Sequence, residues 1–314
     1  MNISRLKKNK NFNLIVEEVI NKSSTQKKKI YKFLNNVDSL YFKRAENFSK
    51  NFLKYLKEEK IDFSYVINAY LKMCSDMMVS HKFFLKNNRY PIKDEKQAYK
   101  NVYNNILEMK SYMIGLAISQ FLWPTHYAMY SFFNDKVAKE CKKINNYLEV
   151  GPGHGLFFLA ALEKLNFKTN FQIVDISKTS IKITESIVNL FIKNKKKIKY
   201  NLKNVIDIKN SQTFDFITMG EVLEHVADPK KLLHKLYNLL SKEGTIYIST
   251  CVDCPSIDHI YHFKSIAEIE NMIRGCGFKI LDKKILPVED KPMKEIIRNK
   301  ITINYCAHIK KINN

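Results

Sequence analysis

The chain is 314 residues long, 45% hydrophobic, with a formal net charge of +22, eight glycines, seven prolines and six cysteines. That length suits two compact domains. The longest apolar run, Met113 to Trp123, is short and interrupted by Ser119 and Gln120, which excludes a membrane-spanning helix; six scattered cysteines exclude a disulfide framework.

Of the 53 basic residues only five are arginine: Arg5, Arg44, Arg89, Arg274 and Arg298. Base readout and bidentate phosphate clamps favour arginine, so a nucleic-acid partner is possible on charge but not favoured. The runs Lys7-Lys8, Lys27-Lys28-Lys29 and Lys195-Lys196-Lys197 read as solvated faces that can draw an anionic substrate. No continuous apolar segment follows the basic residues at the N-terminus, so a secretory signal is not expected. The expectation is a cytoplasmic protein without a membrane partner; the oligomeric state has no signature.

Residues 1–114 contain no glycine, and Pro91 is their single proline. Apolar stripes at helical spacing run through Ala45, Phe48, Phe52 and Leu56, through Phe63, Val66, Ile67, Tyr70 and Met73, and through Val102, Ile106, Met109 and Met113. Residues 1–140 are therefore expected to be an all-helical domain. The stretch Leu122-Trp123-Pro124-Thr125-His126-Tyr127 breaks the pattern and is expected to join it to the remainder of the chain.

Three of the eight glycines then fall within five residues, in Tyr147-Leu148-Glu149-Val150-Gly151-Pro152-Gly153-His154-Gly155. An apolar strand ends there, and a helical pattern begins with Leu156, Phe158, Leu159, Leu162 and Leu165. Such a turn can press its backbone against a bound cofactor. Asn170 to Asp175 is an apolar strand ending in a carboxylate, placed to take both hydroxyls of a ribose, of NAD as well as of other nucleosides. The alternative is a helix N-cap or turn acid before Ile176-Ser177. A less regular strand, Lys197 to Leu202, leads into Asn204-Val205. Phe214 to Met219 is a further strand, followed by Gly220-Glu221-Val222-Leu223-Glu224-His225-Val226-Ala227-Asp228-Pro229. Asp228 and Pro229 cap and start a helix carrying Leu232, Leu233, Leu236, Leu239 and Leu240, with Gly244 just past its stop. Thr245 to Thr250 is a strand, and Ser265-Ile266-Ala267-Glu268 has the form of a capping box opening a helix with Ile266, Ile269, Met272 and Ile273 inward. Two more strand-like runs, Phe278 to Val288 and Ile301 to Ile309, close the chain. Strands alternating with helices imply a mostly parallel sheet covered on both faces.

A dinucleotide fingerprint would need its third glycine at Leu156. The spacing here is G-x-G-x-G, with Glu149 two positions before it, and it resembles the first motif of the class I S-adenosylmethionine (SAM) methyltransferases. The segment Phe214-Asp215 through Glu221-Val222-Leu223-Glu224-His225-Val226-Ala227-Asp228-Pro229 resembles the fourth-strand segment of the same family. The resemblance covers about residues 140–311. It implies a Rossmann-like methyltransferase domain over 141–314 with a mostly parallel seven-stranded sheet, SAM as cofactor, and a methyl group moved to an oxygen or nitrogen of a small-molecule, possibly anionic, acceptor. By the same resemblance Glu149, Gly151, Gly153, Gly155, Asp175, Asn204, Val205 and Gly220 border the cofactor. Asn204 stands where the family usually has an acid.

Transfer from a sulfonium needs alignment and exclusion of water, and a hydroxyl or protonated amine also needs a base. His225 is the expected base and Glu221 a substrate or methionine contact; the alternative for His225 is a structural histidine. Under the helical segment, acting as a cap, His126, Tyr127 and Tyr130 would line the acceptor site, or simply pack. No metal is assigned, although Glu221, Glu224 and His225 on one helical turn, with His259 or His262, are similar to the ligand pattern of metal-dependent RNA and ubiquinone-pathway methyltransferases. Ile257 to Phe263 is expected to border the acceptor pocket. Cys251 and Cys254, with no second pair at zinc spacing, read as ordinary thiols. The competing functions are a metal-assisted RNA methyltransferase and a SAM-binding protein without turnover.

Overall fold

A computed structural model describes residues 3–192 and 197–312, so Lys195 and Lys196 of the third lysine run lie outside the described residues. Two compact units are present: one is the chain up to Ser75 with Ser111–Tyr127, the other Asp76–Lys110 with the chain from Ala128 onward. Residues 76–110 and 128–140, counted by pattern with the helical N-terminal domain, thus pack with the second unit. Among the described residues, no helix is long and apolar enough to cross a membrane.

The first unit is built from α1 (Ile3–Lys8), α2 (Lys10–Lys22), α3 (Ser24–Leu34), α4 (Ser39–Glu58), the start of α5 (Phe63–Asn87) and the end of a later helix. Ser23 and Asp38 cap α3 and α4, accepting from Gln26 N and Tyr41 N. The stripe Ala45, Phe48, Phe52 and Leu56 is buried as its spacing requires. Tyr41, fully buried, donates to the Phe121 carbonyl, and Tyr70 donates to Gln26 Oε1 at 3.0 Å while accepting from Trp123 Nε1 at 2.9 Å.

Before the sheet, the chain forms α6 (Glu95–Ala98), a π-helical turn over Tyr99–Tyr103, α7 (Ile106–Leu122) and α8 (Pro124–Glu140). The third apolar stripe is therefore not one helix. Val102 is buried in the π turn, whereas Ile106 is 68% exposed at the start of α7, because the Asn105 side chain accepts from Glu108 N and starts a new helix there. The expected joining stretch reduces to Trp123, with Pro124 opening α8 directly.

The sheet has seven strands in the order β3-β2-β1-β4-β5-β7-β6: β1 (Asn146–Val150), β2 (Asn170–Asp175), β3 (Ile198–Leu202), β4 (Phe214–Gly220), β5 (Leu240–Val252), β6 (Phe278–Pro287) and β7 (Ile303–Lys311). β7 alone runs against its neighbours, inserted between β5 and β6. Alternation along the strands feeds two cores. Leu148, Val150, Ile217, Met219, Ile246 and Ile248 pack with α11 (Pro229–Leu239) and α12 (Ile266–Gly275). Tyr147, Phe171, Ile173, Phe216 and Tyr247 pack with α8, α9 (Leu156–Lys164) and α10 (Lys178–Phe191). A short α13 (Met293–Arg298) precedes β7.

Two local expectations are corrected. Leu240 is the first residue of β5 rather than the last of α11, and Gly244 lies inside that strand, where a Cβ would stand 2.9 Å from the Phe214 carbonyl oxygen. The close pairing of β5 on β4, and not a helix stop, is what requires that glycine. At α12, Ser265 accepts from Glu268 N as a cap should, but the Glu268 carboxylate accepts from Lys264 N and from the Tyr261 hydroxyl.

Candidate active site

The carboxyl ends of β1, β2, β4 and β5 carry the residues singled out by sequence, where open α/β sheets bind ligands. Gly151, Gly153 and Gly155 all have positive φ, at 66°, 54° and 75°. A Cβ on Gly151 would stand 2.9 Å from Val222 Cγ2, and one on Gly155 3.1 Å from Thr184 Oγ1. The glycine loop and the Glu-Val-Leu-Glu-His segment are thus packed against each other, and Gly151 can carry no side chain. Gly155 ends the loop as the left-handed N-cap of α9, and Gly151 N donates to Val174 O at 2.9 Å.

Glu149 lies beneath this loop, 2% exposed. Its Oε2 accepts from the Tyr147 hydroxyl at 2.6 Å, and its carboxylate is also bonded by the backbone of Phe158 in the first turn of α9. Burial pushes the Glu149 carboxyl up to about 8, against the lowering effect of those two bonds. The acid of the motif therefore braces β1 to α9 from within the core.

Asp175 ends β2. Its Oδ1 accepts from Ser177 N at 2.8 Å and its Oδ2 from Ser180 Oγ at 2.6 Å. Burial raises its carboxyl, while the bonds from Ser180, Ser177, Ile176 and Gly153 oppose that rise. Ser177 is the N-cap of α10, and Asp175 holds the turn before it by accepting from Ser177 N, as a turn acid does. Asn204 caps a 3₁₀ turn over Val205–Asp207, its Oδ1 accepting from Ile206 N at 3.0 Å, so the amide nitrogen is its remaining group. Val205 is buried against the β1, β2 and β4 core. Gly220 ends β4 with only ordinary contact, 3.6 Å, between a built Cβ and Ser249 Oγ.

Beyond β4, Glu221 adopts a left-handed φ of 53°, and its N donates to Ser249 O at 3.0 Å. Leu223–His225 is a single 3₁₀ turn. Glu221, Glu224 and His225 therefore do not present one common face. Glu221 and Glu224 converge with Cys251, whereas Glu224 and His225 converge with His259, donor atoms in each group lying within 4.8 Å of one another. His262 turns away, its Nε2 2.7 Å from Asp253 Oδ1. Buried oxygens without a hydrogen-bond partner stand on Glu221 (Oε1), Glu224 (Oε1) and Asp258 (Oδ1). Burial, with the Glu224 charge beside it, holds the Glu221 carboxyl well above the ordinary range.

His225 Nδ1 is 2.9 Å from the Tyr103 hydroxyl and 3.2 Å from Asp258 O, and the Tyr103 hydroxyl donates to Asp258 Oδ2 at 3.3 Å. The Tyr103 carbonyl accepts from Ser177 Oγ at 3.3 Å, and Glu95 Oε1 accepts from Ala227 N at 2.7 Å. Residues 95–103 are thus anchored over the ends of β2 and β4. Asp258 lies inside Ile257–Phe263, the segment expected to border the acceptor pocket, although no role was assigned to it there; nothing local signalled Tyr103. His126 and Tyr127 instead pack in the first unit, His126 with Ser119 and Trp123 and Tyr127 with Tyr41; Tyr130 packs on Phe157 in the second.

Comparisons with known proteins bear on the family and the fold. A family described as a methyltransferase domain matches residues 126–283. The mitochondrial ubiquinone biosynthesis O-methyltransferase of Candida albicans is 29% identical over 146 residues, 46% of this chain and 43% of that protein. Its counterpart in Dictyostelium discoideum is 30% identical over 131 residues, 38% of this chain and 40% of that one. The chain thus spans less than half the length of these two relatives. Among solved structures, the mitomycin 7-O-methyltransferase superposes with a TM-score of 0.52 at 8% identity, covering 76% of this chain and 68% of that one, a likeness of fold. With its family match spanning half of its length, and the glycine loop and sheet order to go with it, the chain belongs to the class I S-adenosylmethionine-dependent methyltransferases.

Proposed function

We propose that the chain transfers the methyl group of SAM to an oxygen, or else a nitrogen, of a small-molecule acceptor. The oxygen is favoured by the names of the relatives, and the observation that carries the reading is the glycine loop. Three alternate residues in left-handed conformations leave a backbone surface without side chains, and Val222 behind it makes that surface obligatory at Gly151. The residues fit the cofactor: the loop would face its amino-acid end, the remaining lone pairs of Asp175 its ribose hydroxyls, and Asn204 Nδ2 with Val205 its adenine. Gly220 and Glu221 border the same end of the sheet.

SAM supplies a methyl carbon made electrophilic by a sulfonium. The chain's own part is to hold the acceptor in line, exclude water and take a proton. His225 is the base of this reading. In this reading its Nδ1–H donates to the Tyr103 oxygen and lies 3.2 Å from the Asp258 carbonyl, while the Tyr103 hydroxyl donates to Asp258 Oδ2. That chain of bonds leaves Nε2 as the basic nitrogen. Glu221 is the neighbouring polar contact for the acceptor. The scattered free cysteines, among them Cys74 and Cys141, support a reducing compartment, the cytoplasm being the simplest.

Titration calorimetry with SAM and with S-adenosylhomocysteine tests the reading. Both should bind the purified chain, and Asp175→Ala should weaken them at least 10-fold. His225→Ala should keep cofactor affinity and lose turnover. Absence of heat with either nucleoside would remove the proposal. An acceptor whose binding weakens steeply with salt would point to RNA instead.

A further inference from the structure

β5 ends in Cys251-Val252-Asp253-Cys254, and Asp253 takes a left-handed φ of 49°. That turn brings the two thiols together, and a ring nitrogen of His259 joins them, with all three donor atoms within 4.8 Å of one another. Glu224 groups within the same distance of Cys251 on one side and of His259 on the other. Cys251, His259 and Glu224 are buried, Glu224 to 1% exposure. Oε2 of Glu224 accepts from Thr250 Oγ1 at 2.7 Å, but its Oε1 has no hydrogen-bond partner and stands 4.0 Å from His225 Nε2. A buried carboxylate beside the Cys251 thiol and the His259 imidazole, which themselves group with Cys254, is a set of donors lacking a cation. Counting cysteine pairs, which makes Cys251 and Cys254 ordinary thiols, overlooks His259 five residues on.

We propose that Cys251, Cys254, His259 and Glu224 hold one zinc ion that clasps the end of β5 to the turn carrying His225. Two sulfur donors, one imidazole and one carboxylate make a closed tetrahedral set, and thiolates select zinc over magnesium. Zinc–sulfur bonds of about 2.3 Å put tetrahedral donors roughly 3.8 Å apart, so Cys251, Cys254 and His259 close in by about 1 Å at most and the Glu224 carboxylate moves toward Cys254. Binding displaces the thiol protons to solvent and forms the metal–sulfur bonds with no change of oxidation state. Four protein ligands leave no open position, so the ion positions the turn rather than acting on the acceptor. That positioning role rests on the function proposed above; the site itself does not.

The test uses the full chain without a polyhistidine tag, produced with Zn²⁺ present and assayed for metal by mass spectrometry, with S-adenosylhomocysteine calorimetry on the same samples. One zinc per chain is expected, kept in His225→Ala and lost in Cys254→Ser. The Co²⁺-substituted wild-type chain should show a sulfur-to-cobalt charge-transfer band, a readout that needs no variant to fold. Nucleoside binding without zinc or without that band overturns the zinc site alone. Zinc with the band but no nucleoside binding overturns the methyltransferase reading alone. Zinc lost in His225→Ala but kept in Cys254→Ser puts the ion on Glu224, His225 and His259 and overturns the thiolate assignment.

Discussion

Glu149 is conspicuous in sequence and is held inside the core. It precedes the glycines where a ligand contact is expected, but alternation along β1 turns it onto the aromatic face, where Tyr147 and the start of α9 bind it. Burial carries its carboxyl from near 4.5 to about 8 in the folded state. The folded chain therefore keeps a proton that the unfolded chain releases, so this residue's contribution is full below about 4.5 and is lost as pH rises towards about 8. Glu149→Gln should remove that part of the decline, flattening the melting temperature over the window while leaving it unchanged at the acid end. Thermal melts at several pH values check this. Asp175 differs in kind, because a strand-end acid needs only the local turn through Ser177 and Ser180 to be held.

Among the elements, those with local causes were legible. The Asp228-Pro229 start of α11, its leucine face and the ends of β2 and β4 follow from capping, periodicity and alternation. The π turn at Tyr99–Tyr103 was not legible. Its stripe passes for one helix until Asn105 is seen to start another, and Val102 is buried while Ile106 is exposed. This turn has a consequence for chemistry, since it hangs Tyr103 over His225. Tyr103→Phe removes the hydroxyl that fixes the imidazole tautomer. One charge-assisted hydrogen bond is worth about 1.5–3 kcal/mol, so turnover should fall roughly 10-fold or more. SAM affinity should be unchanged and the pH profile of turnover displaced, which a purely structural role for Tyr103 would not produce. The antiparallel β7 between β5 and β6 was equally hidden: both runs read as strands, but apolar alternation carries no direction.

For the whole molecule, ligand binding is the property that ties sheet, loop and charge together. A nucleoside bound only by the folded second unit, at 100 times its Kd, stabilises it by about 2.7 kcal/mol. That is a rise of roughly 5–10 °C in melting temperature for a unit of this size. Differential scanning calorimetry with S-adenosylhomocysteine should show it, and Asp175→Ala should lose most of the shift. The charge of +22 is carried chiefly by lysine and acts as a field rather than a recognition device.

By itself, the order of residues determined the class of the second unit, the glycine loop and the segment that bears His225. Each of these is written in a few neighbouring residues whose backbone needs are local: glycine where φ must be positive, a cap where a helix starts, alternation where a strand is buried. Only the tertiary structure decided which side chains meet. It placed Glu221 with Cys251 and His225 with His259, brought Tyr103 and Asp258 onto that histidine, and gathered Cys251, Cys254 and His259, with Glu224 beside Cys251 and His259. Those meetings join residues from distant parts of the chain across the ends of parallel strands, and their distances depend on packing that no local pattern encodes.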